Sequence, residues 1–345
     1  MLPLHSRYCW FLSGPTASGK SAVGVELAQR IGAEIISLDS MALYRSMDIG
    51  TAKPTPEQRR RVPHHLIDIL QPHEEYSLAQ YVVAAEDCVR EIISRGRSAL
   101  FVGGTPLYLK GLLRGIFEGP PADWELRHRL AEEARLEGSE MLHRRLTEVD
   151  AGAAARLHPN DTRRLIRALE VYEKTGRPIS ELQRQFEIGR AAEDCRVFVL
   201  DWPKPELHAR IDHRVEAMFA TGLVDEVRRL LGKMGTGTSP DANSASCAGC
   251  GSEPVPIFPK PLGKTAGQAV GYREVIEHLK GRSGLPETIA LVQQHTRQLA
   301  KRQNTWFRSL SECRFIAVSG PVDAAETAER IVSAGTALRA AALGN

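Results

Sequence analysis

Residues Gly14 to Ser21 read Gly-Pro-Thr-Ala-Ser-Gly-Lys-Ser and follow directly on the apolar run Tyr8 to Leu12. A strand that feeds a G-x-x-x-x-G-K-[ST] loop, with amphipathic spacing over Ala22 to Ile31 behind it, commits the chain to one local structure. The backbone must curl so that successive N–H groups face phosphate oxygens, and the positive end of the next helix points at them. Lys20 is placed to reach the terminal phosphates as a point charge, and the Ser21 hydroxyl to ligate Mg²⁺. The candidate diphosphate cradle is therefore Gly14, Pro15, Thr16, Ala17, Ser18, Gly19, Lys20 and Ser21. A ligand carrying a di- or triphosphate binds here.

The rest of the chain supplies the sheet that such a loop requires. Apolar runs at Glu34–Leu38, Ala99–Val102, Val197–Leu200 and Arg314–Val318, with a weaker one at Leu66–Ile69, are separated by helical patterns. That alternation predicts an α/β fold, a parallel sheet of the P-loop NTPase type with helices on both faces. Ligands of such sheets bind beyond the carboxyl ends of the strands. Asp39-Ser40, Gly103-Gly104-Thr105 and Asp201 should thus converge on the phosphate loop. Residues 120–185 hold no strand-like run and are rich in Arg, Glu, Leu and Ala, which reads as an inserted all-helical domain. The core is then 1–119 with 186–323, carrying a Gly-, Pro- and Ser-rich loop at about 232–263 that reads as flexible, and 324–345 is an alanine-rich helical tail. Within the insertion a helix should start at the Asn160-Asp161 cap and stop at Gly176, ahead of Pro178. At 100° per residue Arg163, Arg164 and Arg167 share one face, and Leu165, Leu169 and Tyr172 the other.

Composition excludes several classes. No apolar stretch approaches the ~20 residues that span a bilayer, and the start of the chain does not read as a signal peptide. Cys9, Cys88, Cys195 and Cys313 lie in or near apolar segments, which suits free thiols in a reducing cytoplasm. Cys247-x-x-Cys250 has no second ligand pair at zinc spacing and reads as incidental. The net charge of +3 neither requires nor excludes nucleic acid, so the distribution of charge must decide. The helix expected over Pro286 to Arg308 interleaves Arg297, Lys301, Arg302 and Arg308 with Gln293, Gln294 and Gln298, ahead of Trp306-Phe307. That mixture suits a nucleic-acid backbone, and the arginine face at 163–167 adds to it.

Four residues could carry chemistry. Asp39 follows the second strand beside the phosphate loop, where a carboxylate serves as base, as metal-linked Asp or as strand-end cap. Thr105 closes a turn whose glycines permit close backbone approach; its hydroxyl either orients a substrate or simply finishes the turn. Arg210 and Arg214 share a helical stripe, where they either neutralise a leaving diphosphate or pair with surface carboxylates.

Longer motifs sharpen this. Asp39-Ser40 leads to Tyr44 and to Met47-Asp48-Ile49-Gly50-Thr51-Ala52-Lys53-Pro54, followed by His64-His65-Leu66-Ile67-Asp68 and Val102-Gly103-Gly104-Thr105-x-Leu107-Tyr108. Later come His158-Pro159-Asn160-Asp161, Arg167 to Val171, Gln268-Ala269-Val270-Gly271-Tyr272, and Thr296-Arg297-Gln298-x-Ala300-Lys301-Arg302-Gln303. Over residues 8 to 310 the chain resembles the bacterial tRNA dimethylallyltransferases, also called tRNA isopentenyltransferases. The resemblance implies transfer of a dimethylallyl group from dimethylallyl diphosphate to N6 of the adenosine 3′ of the anticodon (position 37), in tRNAs reading codons that begin with U. Diphosphate is released and Mg²⁺ is the cofactor. It implies Asp39 as the base, Thr105 beside the reacting centre, and the loop residues with Arg210 and Arg214 at the diphosphate. The tRNA contacts it implies are Asp39, Ser40, Met41, Ala42, Thr105, Arg127, Arg163, Arg164, Leu165, Ile166, Arg167, Gln268, Gly271, Tyr272 and Arg273. The partners are then a tRNA anticodon stem-loop and dimethylallyl diphosphate, with no membrane, and the enzyme a cytoplasmic monomer. The long loop before Gln268 is one departure. The absence of the paired zinc ligands that eukaryotic members carry near their C-terminus is another. Rival readings are a nucleoside or small-molecule kinase with ATP in the loop, a nucleotide-switched RNA-binding protein, and a prenyltransferase acting on a free adenine nucleotide.

Overall fold

A computed structural model describes residues 9–117, 119–183, 189–232 and 262–343. Cys247, Cys250 and most of the 232–263 loop lie outside the described residues. Among the described residues six short strands form one parallel sheet: β1 Cys9–Ser13, β2 Ala33–Ser37, β3 His64–His65, β4 Ser98–Gly103, β5 Val197–Asp201 and β6 Cys313–Ala317, in the order β3-β2-β4-β1-β5-β6. Strands β1 and β2 are buried along their whole length, as expected where helices cover both faces. The sequence reading put the third strand at Leu66–Ile69. The ladder instead uses His64 and His65, because Leu66 and Asp68 have φ of +56° and +59° and cannot continue an extended chain.

Register brings the strand ends level. Ser13 pairs with Gly103 and Ser37 with Val102, so the tips of β1, β4 and β2 open on one edge of the sheet. The contact that fixes this edge is backbone on backbone: a Cβ on Gly103 would lie 2.1 Å from the Leu38 carbonyl oxygen, so no side chain fits. Leu38 donates its N–H to Val102 O (2.9 Å) and accepts from Thr105 N–H (3.1 Å), which carries Asp39 directly beside the Gly104-Thr105 turn.

Helix Lys20–Ile31 follows the phosphate loop and buries Val23, Val25, Leu27 and Ala28 against the sheet. Its other cover comes from the far end of the sequence. Helix Ala324–Leu343 puts Ala328 and Ile331 into the same core, and Arg30 pairs with Glu329 at 2.8 Å. The alanine-rich segment expected as a tail is therefore part of the main core, because small residues let two helices approach closely. Among the described residues no helix is long and apolar enough to cross a membrane; Cys9, Cys195 and Cys313 are buried and Cys88 is half-buried.

Two compact units share the chain. One runs to Leu109 and resumes at Arg190; the other is Lys110–Gly189, wider at both ends than the 120–185 read from the sequence. The second unit packs helices Trp124–Glu137, Ser139–Val149 and Thr162–Thr175 around Leu130, Leu142, Leu146, Leu165 and Leu169. Asp161 caps the third of these by accepting from Arg164 N–H, and Gly176 ends it at φ +66°.

Gly103→Ala should destabilise the chain by about 3 kcal/mol, since backbone on both sides of the contact must part to admit one methyl group. Urea unfolding checks this; a midpoint unchanged from wild type would mean that the two strand tips are not locked together.

Candidate active site

The phosphate loop is held in an uncomfortable shape by side chains from distant elements. Ala17 (φ +63°) and Gly19 (φ +85°) both lie in the left-handed region, and for alanine that costs about 1–2 kcal/mol. Three braces hold it. Trp202 donates its indole N–H to Ser18 O at 3.0 Å, and Arg210 donates Nε–H to Ala17 O at 3.0 Å while stacking on the Trp202 ring at 4.4 Å. Gln303 accepts from Thr16 N–H at 2.9 Å and donates to Gly104 O at 2.6 Å, tying the loop to the turn that carries Thr105. Sequence reasoning gave no role to Trp202 or Gln303. Trp202 could have been suspected from its position just past β5, and Gln303 from its place in the Thr296–Gln303 motif.

Two cavities meet at Lys20 and Ser21. The larger, about 630 Å³, is lined by Ala17 to Ala22 on one side and by Arg210, His213 and Arg214 on the other, with Gln58 and Ala52 at its margin. Burial and the Arg214 guanidinium pull the Lys20 ammonium down to about 8, against the opposing pull of Asp39. Burial also lowers Arg210 and Arg214 from the usual arginine value, yet both remain cations. Neither has a carboxylate salt bridge among the described residues, so both stand as free positive charge beside the loop.

The smaller cavity, about 50 Å³, shares Lys20, Ser21 and Ala52 with the first and adds Asp39, Ala42 and Thr51. Asp39 Oδ1 accepts from Met41 N–H at 2.9 Å, and Thr105 Oγ1 accepts from Ser40 N–H at 3.0 Å. Asp39 is thus a strand-end cap and a cavity-lining carboxylate at once. Its second oxygen accepts no hydrogen bond among the described residues. Ser40 and Met41 are half-buried and Ala42 is buried.

Of the residues expected at RNA, the structure separates three groups. Arg163 is exposed and has no ion pair among the described residues, Arg164 is 3.4 Å from Asp161, and Gln268 and Arg273 are exposed, the latter paired with Glu274 at 2.6 Å. Arg127 and Arg167 do not present free guanidinium groups. Both close on Glu170, which is fully buried: Arg127 does so through two bonds of 2.9 Å, and Arg167 also donates to Pro120 O at 3.1 Å. Burial works to raise Glu170, but the bonds from Arg127, Asp123 N–H and Arg167 hold it below the usual carboxylate range. Leu165, Ile166, Gly271 and Tyr272 are corrections. Leu165 and Ile166 pack in the helical core, Gly271 is buried, and Tyr272 is fully buried with its hydroxyl on Glu226, so none of these residues offers a surface contact. On helix Leu285–Arg308, Arg297 pairs with Asp212 and Arg308 with Asp201, while Lys301 and Arg302 are exposed and have no ion pair among the described residues.

A family model described as IPP transferase matches residues 42–310. The chain is 46% identical over 312 residues to a tRNA dimethylallyltransferase of Rhodopirellula baltica, covering 88% of this chain and 86% of that protein. Among solved structures, the full-length tRNA isopentenylpyrophosphate transferase of Bacillus halodurans aligns with a TM-score of 0.63 at 33% identity, over 97% of this chain and 98% of that one. A eukaryotic dimethylallyltransferase described as acting on tRNA aligns with a TM-score of 0.69 at 24% identity, over 90% of this chain and 73% of that one, a likeness of fold.

Binding of inorganic diphosphate should be strongest below pH 8 and weaken above it, because a bound anion favours charged Lys20 and the free site releases that proton near pH 8. Isothermal titration from pH 6.5 to 9.5 reads this directly. Lys20→Ala gives the anion's own titration alone; identical pH slopes in the two proteins would remove Lys20 from the anion site.

Proposed function

The chain belongs to the IPP transferase family, and from that footing we propose that it transfers a dimethylallyl group from dimethylallyl diphosphate to N6 of adenosine 37 in tRNA. One observation supports the assignment of roles: Asp39, the carboxylate just past β2, lines the same cavity as Lys20 and Ser21 of the phosphate loop. The amine lone pair of an adenine is delocalised into the ring and is a poor nucleophile. In this reading N6 attacks the terminal allylic carbon of the donor. The C–O bond to diphosphate breaks with its electron pair leaving on oxygen, and the N6 proton passes to the unbonded oxygen of Asp39. Thr105 orients the backbone beside Asp39 through Ser40 N–H. The leaving charge is met by the loop amides, Lys20, Arg210 and Arg214. Thr16 N–H already serves Gln303, which leaves the amides nearer the helix start for the anion.

The donor set fits Mg²⁺ as a phosphate-loop site does. Among the described residues there is no cluster of three His, Cys, Asp or Glu that would form an all-protein cage. The exposed Ser21 hydroxyl would instead hold the ion together with diphosphate oxygens and water. Bound there, Mg²⁺ would neutralise part of the leaving group's charge.

For the RNA, the target base must leave its stack to reach a cavity at the strand tips. The exposed cations Arg163, Lys301, Arg302 and Arg273 are the candidate phosphate contacts, with Arg127 and Arg167 shaping the helical unit from beneath. The reading requires one chain and the cytoplasm, where tRNA is found.

Incubation with labelled dimethylallyl diphosphate and an unmodified anticodon stem-loop should label the RNA, whereas ATP-dependent phosphorylation without prenyl label would identify a kinase. Asp39→Ala should lower turnover by about 10²–10⁴-fold with stem-loop affinity largely kept; full activity in that variant excludes Asp39 as the base. Arg163→Ala should weaken stem-loop binding and reduce the salt slope by about 0.7–0.9, with diphosphate affinity unchanged. An identical salt slope would take Arg163 off the RNA surface.

A further inference from the structure

Glu226 is 3% exposed and has no cation salt bridge among the described residues. It lies on helix Leu223–Leu230, and four donors converge on its carboxylate. They are the N–H groups of Asp48 (2.9 Å), Ile49 (2.8 Å) and Gly50 (3.3 Å), and the Tyr272 hydroxyl (2.6 Å). Three consecutive amides facing one oxyanion make the same kind of nest that a phosphate loop offers its ligand, here filled from within the protein. A buried charge tolerates the loss of water only where such bonds replace it, so the arrangement is a strong constraint on the backbone at 48–50. Tyr272 adds shape to charge. Its ring fills the space where a Gly50 side chain would stand, a Cβ there coming within 2.4 Å of it.

The segment so held runs into the site. Thr51 lines the cavity of Asp39, and Ala52 lines both cavities that meet at Lys20. Ala52 itself sits at φ +47°, a conformation that persists only where the surroundings impose it. They do so from the other end as well: Lys53, its side chain 3% exposed, donates to Tyr44 O and to Asp68 at 2.5 Å each. The wall is therefore stretched between two buried electrostatic anchors, Glu226 on one side and Lys53 on the other.

We propose that Glu226 and Tyr272 are positioning residues for the transfer reaction: through the amides of 48–50 they hold the Thr51–Ala52 wall that aligns the two substrates, and they touch neither. This rests on the prenyl-transfer reading and assigns the aromatic of the Gln268–Tyr272 motif to the wall rather than to an RNA surface. The phosphate loop is braced separately, by Trp202, Arg210 and Gln303. Loss of the Glu226 anchor should therefore spoil alignment and leave anion binding alone.

The experiment uses the full chain with dimethylallyl diphosphate and an anticodon stem-loop. At saturating concentrations of both, kcat should fall about tenfold in Tyr272→Phe, which keeps the ring against Gly50, and about 100-fold in Glu226→Gln. The inhibition constant of inorganic diphosphate should stay that of wild type in both. Wild-type kcat in the two variants, or diphosphate affinity falling in step with kcat as in a general folding defect, overturns the proposal. If Glu226→Gln fails to fold, Tyr272→Phe alone decides it by the same two readouts. Wild-type protein that moves no prenyl group to RNA overturns the functional reading instead, and the parallel reaction shows which of the two has failed.

Discussion

The absence of a side chain at Gly103 lets the backbone of β4 close on the carbonyl of Leu38, and from that contact the rest of the site follows. It sets the tip of β2 beside the turn after β4, with β1 and its phosphate loop level on the other side. Asp39 then has little freedom left. Its Oδ1 accepts from Met41 N–H, its neighbour Ser40 is tied to Thr105, and the residue lines the cavity of Lys20. A carboxylate and a phosphate-binding ammonium line one cavity because they follow β2 and β1, two strands that each pair in parallel with β4 between them. A hydrogen-bonded register of this kind is a more exact ruler than side-chain packing.

Electrostatically, the site is cationic in a setting that resists extra charge. Lys20, Arg210 and Arg214 crowd one cleft, and the crowding together with burial depresses the lysine. An anionic ligand relieves all three at once. That is the behaviour expected where a diphosphate departs, since charge develops on the leaving oxygens as the bond to carbon breaks. Stacking of Arg210 on Trp202, with both side chains bonded to loop carbonyls, keeps the positive group oriented before any ligand arrives.

Much of this was legible in the sequence, and the boundary of legibility has physical causes. The phosphate loop, the parallel alternation and the strand-tip positions of Asp39 and Thr105 are local signals, written in neighbouring residues. The third strand was misplaced because apolar character at Leu66–Ile69 outweighed the chain reversal that follows the two histidines. The arginine face of helix Thr162–Thr175 was visible as a periodicity. Arg167 and Glu170 stand three apart on that helix, so their pairing is compatible with the spacing, but Arg127 joins Glu170 from 43 residues away, and spacing along a helix does not reveal that. The contacts of Glu226, Trp202 and Gln303 were hidden for the same reason. Each acts on backbone groups far away in sequence, and backbone groups look alike in every sequence.

The pairing of the first helix with the last has a consequence for how the molecule comes into being. Arg30 and Glu329 meet across 299 positions of chain, and the apolar side of helix Lys20–Ile31 that receives Ala328 and Ile331 stays bare until the final segment has been synthesised. Closure over so great a span is entropically slow. During translation helix Lys20–Ile31 is thus sealed only after helix Ala324–Leu343 has been made, which leaves a sticky surface open to solvent and to chaperones in the interval.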